Sequence, residues 1–440
     1  MPATTPRPLD HTPGSYVWPG FDESFVRHVM RVARTPQGRE LTRSLTFKEG
    51  ASQRRLPMGL PLCLRAGLRG ELDAFVAAYH RMIETILRAW DHDPRLRRVL
   101  TVPEPLRGEI AAARDHRVHV MRLDLLPHPD GGLRVLETNA NCPGGFMTAG
   151  RGRAAWRPLL TRHGIALPPS LPTDTPTWPG TWLTDLARRH TGIRPRTIAL
   201  LCPRGANRNE LEDYEAGLTA IGLRVLHADP RDLHIAPDDT VVAAGTSIRH
   251  AYAKISTRDL LDMGADAFPY LRAVRERALF VQNGIRGRFL GDNKLCLAVL
   301  SDPQFADLFP AADHRRVHPT IPWSRNIALC DDADLRAIAR DRERYVLKRP
   351  LDTRGRGVLI GRETPPAQWT AAVEHALESA WLVQEYVPTA RPPATPPDSN
   401  LRHDLCLGAV DGKLVTAVTR AGRDERLNVA LSARPHPVYL

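Results

Sequence analysis

Several features are scarce in this chain of 440 residues. Its six cysteines form no Cys-x-x-Cys pair, which argues against a zinc site or a disulfide framework and favours a reducing cytoplasm. No run of about 18 apolar residues occurs, so we expect no membrane-spanning helix. The Pro-rich N-terminus lacks the apolar segment of a secretory signal. These absences predict a globular cytoplasmic protein.

Lysine is also scarce, since five lysines stand against 56 arginines in a chain of net charge +12. A positive balance raises the alternative of a basic nucleic-acid-binding protein. The basic residues are spread along the chain and interleaved with acids, which favours a cleft for small anionic substrates and no nucleic-acid partner. Each rare lysine deserves inspection as a specific point charge.

The periodicity divides the chain into four regions. Residues 1–115 are mainly helical, as in Glu71–Trp90. Residues 116–195 begin with a hairpin of strands 116–126 and 133–139. Residues 196–290 alternate strands and helices, with strands at 197–202, 223–228 and 240–245, which predicts a small parallel sheet. Residues 291–440 end in two strands around Asp411-Gly412, the strongest hairpin signal in the chain.

The first candidate site is Glu137-Thr-Asn139, at the end of strand 133–139. Residues two apart on a strand face the same way, so both side chains present oxygen atoms on one face. Arg122 and Asp124 do the same on the partner strand. Carboxylate and amide oxygens suit Mg²⁺. The alternative is a solvated strand end before a Pro-Gly-Gly turn.

The second candidate is Lys348 on a strand, followed by a loop with two glycines. A strand lysine before such a loop can place an ammonium group and backbone N–H groups around phosphates. Arg354 and Arg356 add donors. The pattern is neither a P-loop nor a dinucleotide fingerprint. A basic surface turn is the alternative.

Two further signals complete the pattern. Gln384 and Glu385 close an apolar strand, where a carboxylate suits a nucleotide ribose; an edge-strand glutamate is the alternative. Asp292 or Asn293 is predicted to cap a helix, with Lys294 in its first turn. A cation there opposes the helix dipole unless an anion lies nearby, which favours a phosphate-facing lysine.

The order of these motifs resembles the eukaryotic-type glutathione synthetases, a circularly permuted branch of the ATP-grasp ligases, and the synthetase half of glutathionylspermidine synthetases. The resemblance covers roughly residues 115–440. It implies an α/β (α+β) ATP-grasp fold in permuted order, with 196–290 as an inserted parallel α/β substrate domain and 291–440 as the nucleotide-binding part.

The resemblance also implies roles for single residues. It implies Mg²⁺ ligands at Glu137, Asn139 and Asp352; contacts to ATP from Lys294, Lys348, Arg354, Gly355, Arg356, Gly357, Gln384 and Glu385; and carboxylate-binding arginines at Arg122 and, by a looser match, Arg434. The loop after Asn139 is shorter than in that family, and the glycine loop is Asp-Thr-Arg-Gly-Arg-Gly. We therefore do not expect glutathione as the product.

The implied function is an ATP- and Mg²⁺-dependent carboxylate–amine ligase that works through an acyl-phosphate. Its expected donor is an amino acid or short peptide; its acceptor is an amino acid, a polyamine or another nitrogen nucleophile. Whether an α- or a side-chain carboxylate is activated, and whether the chain is a monomer or a homodimer, stay open. The alternatives are a nucleotide-binding protein without ligase activity and the nucleic-acid-binding protein above.

Overall fold

The computed structural model describes residues 18–49, 54–206, 208, 210–353, 355–396, 399–429 and 433–440. Its α-helices are Glu23–Ala33, Pro36–Ser44, Leu68–Ala89, Pro94–Val99, Glu104–Ala112, Phe146–Arg162, Trp178–Thr191, Leu211–Ala220, Thr257–Met263, Phe268–Arg275, Ile285–Phe289, Cys296–Ser301, Ala311–Val317, Asp332–Arg340 and Pro366–Glu378. Short 3₁₀ turns are Pro172–Asp174, Pro230–Asp232, Gly264–Ala267, Pro303–Leu308, His318–Thr320, Ile327–Leu329, Arg342–Arg344 and Gly361–Glu363. None of these helices is long and apolar enough to cross a membrane.

The largest sheet has seven strands, and we call it the central sheet. Its order is Leu62–Cys63, Arg434–Tyr439, Lys413–Gly422, Leu405–Val410, Val120–Pro127 and Leu133–Asn139, with Arg402–His403 paired to Lys413–Gly422. All described pairs are antiparallel except the first. The sheet brings the predicted hairpin around 130 beside the predicted terminal hairpin, although about 270 residues of sequence separate them.

The two faces of the central sheet differ because side chains alternate along each strand. Leu123 and Thr138 pair on one face, where the Tyr79 hydroxyl of helix Leu68–Ala89 lies 2.7 Å from the Thr138 hydroxyl. The opposite face presents Arg122 with Asn139 and Asp124 with Glu137. The apolar helix therefore covers the first face, and the charged face is left for the cavity described below.

The predicted parallel sheet exists and contains two of its three predicted strands, those at 197–202 and 223–228. It has the order Phe280–Val281, His250–Ala253, Thr197–Leu201 and Arg224–Ala228. The strand predicted at 240–245 is wrong as a member of this sheet. Ala244 and Gly245 have φ of 46° and 70°, a pair of left-handed residues that closes a tight hairpin. Val241–Ala243 therefore turns back on Thr246–Ile248 and joins a separate antiparallel ribbon with His234–Ile235.

Two smaller sheets complete the fold. An antiparallel sheet of order Ser324–Asn326, Leu382–Glu385, Tyr345–Lys348 and Val358–Ile360 carries the predicted lysine strand, and we call it the lysine sheet. The N-terminal region, predicted to be mainly helical, also contains the hairpin Thr46–Glu49 and Arg54–Pro57, which we call the N-terminal hairpin.

Candidate active site

A cavity of about 430 Å³ lies between the charged face of the central sheet, the lysine sheet and the parallel α/β unit. Of the predicted site residues, Arg122, Glu137, Asn139, Lys348, Gly355, Gln384 and Glu385 line it. These residues come from both halves of the sequence. The fold thus gathers most of the candidate motifs around one cavity.

Lys348 is buried at the end of its strand, with 6% of its surface exposed. Its ammonium group donates to the Leu136 carbonyl at 2.9 Å and to Gln384 Oε1 at 2.6 Å. Burial lowers the pKa of Lys348 to about 8, against the attraction of Glu137. The protein thus holds a costly cation next to the strand of Glu137, as an anion-binding site requires.

Lys294 is also buried, and its ammonium group lies between two of the predicted metal-ligating positions. Nζ is 3.3 Å from Glu137 Oε2 and 2.7 Å from the main-chain oxygen of Asp352. Burial lowers the pKa of Lys294, but the carboxylates of Glu137 and Asp292 outweigh this effect and raise it. Lys294 is therefore positively charged beside the carboxylates of Glu137 and Asp292.

The predicted helix start at Lys294 is wrong, because the helix begins at Cys296. The two residues predicted to cap it have other partners. The Asp292 carboxylate accepts hydrogen bonds from the backbone N–H groups of Ala140 and Asn141 at 2.6 and 2.9 Å. Asn293 Oδ1 accepts from Leu295 N at 2.9 Å. Lys294 therefore lies outside the helix, although it does lie in an anionic environment.

Asp292 is a site residue that the sequence reasoning missed in this role. It lines the cavity with 6% of its surface exposed, and burial raises its pKa to about 6. Because it binds the two amides directly after Asn139, it fixes the strand end that carries Glu137 and Asn139. Its sequence separation of 152 residues from Ala140 left no local signal.

The predicted metal ligands are partly assembled. Asn139 Nδ2 lies 3.5 Å from Glu137 Oε1, so these two side chains are together. The buried Asp352 carboxylate instead accepts from Arg349 Nη1 at 3.2 Å and from Thr353 N at 2.8 Å. The described residues contain no group of three or more His, Cys, Asp or Glu placed to hold a metal ion. The oxygen donors of Glu137 and Asn139 nevertheless fit Mg²⁺, and the Lys294 ammonium group marks a place where a cation is stabilised.

The glycine loop after Lys348 closes through backbone geometry. Gly355 and Gly357 have φ of 70° and 63°, which side chains rarely adopt. At Gly357 a Cβ atom would also stand 2.7 Å from the Arg349 Cβ. The exposed Arg356 Nε lies 3.5 Å from Asp352 Oδ1. Arg354, a predicted phosphate contact, lies outside the described residues.

The two hinge-strand residues have different surroundings. Buried Gln384 holds Lys348 and donates from Nε2 to Ser324 Oγ at 3.0 Å. Glu385 is half-buried at the cavity, and burial raises its pKa. Glu385 therefore has an accessible carboxylate, whereas Gln384 positions the lysine.

Arg122 faces the cavity as predicted, but its guanidinium group is already engaged. Nε and Nη2 donate to the two Asp124 oxygens at 2.6 and 2.9 Å, and Nη1 donates to the Gly144 carbonyl at 2.8 Å. Burial opposes ionisation of Asp124, but Arg122 and Arg420 outweigh it and lower its pKa. Removing one partner of such a buried pair costs about 3–5 kcal/mol.

Arg420 is a second guanidinium group that the sequence reasoning missed. It donates to Asp124 Oδ2 at 2.8 Å and to Asp404 Oδ2 at 2.7 Å, and it lines the cavity. Arg434, the predicted second carboxylate-binding arginine, is exposed at the start of its strand and is not part of the described cavity lining. The structure thus brings Arg420, and not Arg434, to Arg122.

Glu210 of the parallel α/β unit lines the cavity and contacts the segment that follows Asn139. Its carboxylate accepts from Gly145 N at 2.8 Å and from Thr148 N at 2.7 Å, at the start of helix Phe146–Arg162. Glu210 has a φ of 68°, so this contact is made from a strained backbone conformation. Glu210 therefore ties the parallel unit to the loop that follows Asn139.

Comparison with known proteins places this geometry in a known fold. A glutathione synthetase-like effector from Globodera pallida, in its apo form, superposes with a TM-score of 0.58 over 95% of this chain and 98% of its own, at 13% sequence identity. The chain has the glutathione synthetase-like fold. The predicted resemblance is thereby confirmed, and at this identity the likeness shows the fold alone.

A protein related by sequence carries a ligase name. A protein of Frankia casuarinae, provisionally named glutamate–cysteine ligase 2-2, is 27% identical over 333 residues, which cover 73% of this chain. The match spans 36% of that relative, about a third of its length. No protein-family model matches the chain.

Proposed function

We propose that the protein is an ATP-dependent carboxylate–amine ligase that joins small substrates through an acyl-phosphate. One observation carries the proposal. Two buried lysines distant in sequence, Lys294 and Lys348, converge on the strand that carries Glu137 and Asn139, and Lys348 lines the same cavity as those two residues. Burial makes the charged form of Lys348 costly, and a fold retains such a cation for a ligand that it neutralises. The ligase name of the Frankia relative agrees with this reading.

ATP binding follows from the lysine sheet and its loop. Lys348 and Lys294 neutralise phosphate oxygens, and the N–H groups around Gly355 and Gly357 add donors as the loop closes. The Glu385 carboxylate faces the ribose. Arg356 approaches the phosphates from the loop. Positioning and charge neutralisation supply most of the catalysis, since phosphoryl transfer asks little covalent work of the protein.

Glu137 and Asn139 would hold Mg²⁺, and Asp352 would supply a further carboxylate oxygen if it were released from Arg349. The ion neutralises charge on the β- and γ-phosphates when it is bound. Asp292 fixes the strand end of Glu137 and Asn139, because its carboxylate accepts hydrogen bonds from the backbone N–H groups of Ala140 and Asn141.

The donor carboxylate lies between Arg122 and the phosphates. Its oxygen attacks the γ-phosphorus, which forms the acyl-phosphate and releases ADP. The amine then attacks the acyl carbon and phosphate leaves, while cationic groups stabilise the oxyanion. Arg420 acts through Asp124, whose carboxylate it shares with Arg122, and so positions the donor-facing guanidinium group.

The domain arrangement is part of the same proposal. Residues 291–440 with 116–195 form the ATP-grasp unit in circularly permuted order, and residues 196–290 form the inserted substrate domain. The separate parallel sheet supports this division, because all four of its strands lie within residues 196–290.

The test is ADP release across a panel of amino acids, short peptides and amines with Mg-ATP, with mass detection of the ligated product. We expect one donor–acceptor pair to release ADP together with an amide product. Lys348→Ala removes this activity, whereas Lys413→Ala, a change at an exposed lysine outside the cavity lining, leaves it intact. Binding of Mg-ATP without ADP release for any pair would instead favour a nucleotide-binding protein without ligase activity.

A further inference from the structure

The parallel α/β unit has a crevice at the point where its strand order reverses. Strand Thr197–Leu201 lies between Arg224–Ala228 on one side and His250–Ala253 on the other. The chain passes from Thr197–Leu201 to the first neighbour and then crosses to the second. In open α/β sheets, ligands bind outside the carboxyl ends of the strands at such a reversal. Lys254 follows Ala253 directly at this place, and it lines the cavity.

The backbone that carries Lys254 is fixed by two fully buried side chains. Gln282 exchanges two hydrogen bonds with Ala253, from Ala253 N to Oε1 at 2.8 Å and from Nε2 to the Ala253 carbonyl at 2.9 Å. Arg288 donates to the Ile255 carbonyl. The residues on both sides of Lys254 are therefore held, and its side chain extends from a rigid base.

The Lys254 ammonium group lacks a carboxylate partner. Of its three donor protons, one goes to the Cys142 carbonyl at 3.2 Å, and no carboxylate in the described part of the chain lies within ion-pair distance. Glu210 lies within electrostatic reach, but its oxygens accept from Gly145 N and Thr148 N. Burial lowers the pKa of Lys254, but the charges of nearby groups outweigh this effect and raise it, so the group is charged at neutral pH.

Lys254 lies close to Arg122, which faces the donor in the proposed function. Arg122 Nη1 donates to the Gly144 carbonyl at 2.8 Å, and Lys254 Nζ donates to the carbonyl of Cys142, two residues earlier. Because such carbonyl groups are at most about 7 Å apart, the two cationic groups are at most about 13 Å apart. An extended dipeptide of about 7 Å, with a hydrogen bond of about 3 Å at each end, spans that distance.

We propose that Lys254 binds a substrate carboxylate that does not react, and so selects a substrate that carries one over its uncharged amide. This inference rests on the proposed ligase function. While the reacting group lies near Arg122, the second group meets the Lys254 ammonium ion, which gains the anionic partner that the described residues do not supply. Two sources fit this chemistry: a donor with two carboxylates, and an amino-acid acceptor. A polyamine would instead bring positive charge against Lys254.

The experiment uses the full chain, Mg-ATP and the donor–acceptor pair found by the ADP-release panel. Each substrate is compared with the analogue in which its non-reacting carboxylate is an amide, which keeps the shape and removes the charge. We expect the amide of one of the two substrates to have a KM about tenfold higher than the acid, as for the loss of one charge-assisted contact. The substrate that shows this difference identifies the carboxylate as that of the donor or of the acceptor.

Lys254→Gln should raise KM for that acid about tenfold and leave KM for its amide and for ATP unchanged. Lys254→Arg keeps the charge and should recover part of the preference. Lys413→Gln is the matched control, because Lys413 is an exposed lysine outside the cavity lining. Circular dichroism checks that each variant folds.

Three outcomes overturn the inference and leave the ligase proposal standing. They are a productive pair in which neither substrate has a non-reacting carboxylate, equal KM values for acid and amide with both substrates, and an effect of Lys254→Gln that is confined to ATP. An absence of ADP release with every pair overturns both.

Discussion

Replacement of Lys348 is expected to relieve a cost to stability while it removes ATP binding. Its pKa lies at about 8 in the folded protein, against 10.5 for an unperturbed lysine, chiefly because of burial. Between these values the unfolded chain binds more protons than the folded one, so stability rises with pH. Below pH 8 the folded protein carries the full penalty of holding the charged group, about 3 kcal/mol.

The perturbation is Lys348→Met, which keeps an unbranched side chain and removes the charge. Between pH 7 and about 9.5, the wild-type protein should regain about 2 kcal/mol of stability from this group. The variant should lack this gain, while other titrating groups contribute equally to both proteins. The unpaired Leu136 carbonyl and Gln384 Oε1 cost the variant about 1 kcal/mol each, independently of pH.

The assay is urea unfolding of the nucleotide-free wild-type and Lys348→Met proteins at both pH values. Binding of Mg-ATP is measured in parallel by calorimetry and should be lost in the variant. Parallel pH dependences of unfolding in the two proteins would refute the view that Lys348 is a buried, destabilised cation. Unchanged ATP binding would refute its role at the phosphates.

Three further predictions concern the metal end and the glycine loop. Glu137→Gln and Asp352→Asn should each lose most turnover in a steady-state assay with unchanged circular dichroism; near wild-type rates in ordinary Mg²⁺ would remove both from the metal site. Asp292→Ala should lower the free energy of unfolding in urea by about 2–4 kcal/mol, because it leaves two buried N–H groups unpaired. Asp292→Asn keeps an acceptor oxygen and should retain most of that stability. Equal losses in the two variants would mean that charge and not hydrogen bonding matters there. Residues 352–358 should gain protection from hydrogen exchange when a nonhydrolysable ATP analogue binds, and equal protection with and without it would rule out loop closure.

Local chemistry allowed parts of the fold to be predicted closely. Strand 133–139 and the Asp411-Gly412 turn, with φ of 46° and 75°, lie where the sequence indicated them, because alternation and turn residues act over a few neighbours. The helix start predicted at Lys294 was wrong because contacts distant in sequence decide the local structure there. Its expected caps are engaged by groups such as Ala140 N, 152 residues away, and no local pattern reveals such a partner.

The residues of the candidate site also fall into those that a local motif reveals and those that it does not. Glu137, Asn139 and Lys348 were found from strand-end motifs, and they meet at the cavity. Arg420 could not be found, because its partner Asp124 lies 296 residues away. Lys254 was missed for the same reason, because the Cys142 carbonyl that its ammonium group contacts lies 112 residues away.

The most direct test of an acyl-phosphate ligase is the fate of the donor oxygen. The donor found by the ADP-release panel is labelled with ¹⁸O in its carboxylate, and the released phosphate is examined by mass spectrometry. Attack of the carboxylate on ATP followed by amine attack on carbon predicts one ¹⁸O atom in each phosphate released. Unlabelled phosphate accompanying amide formation would contradict the account.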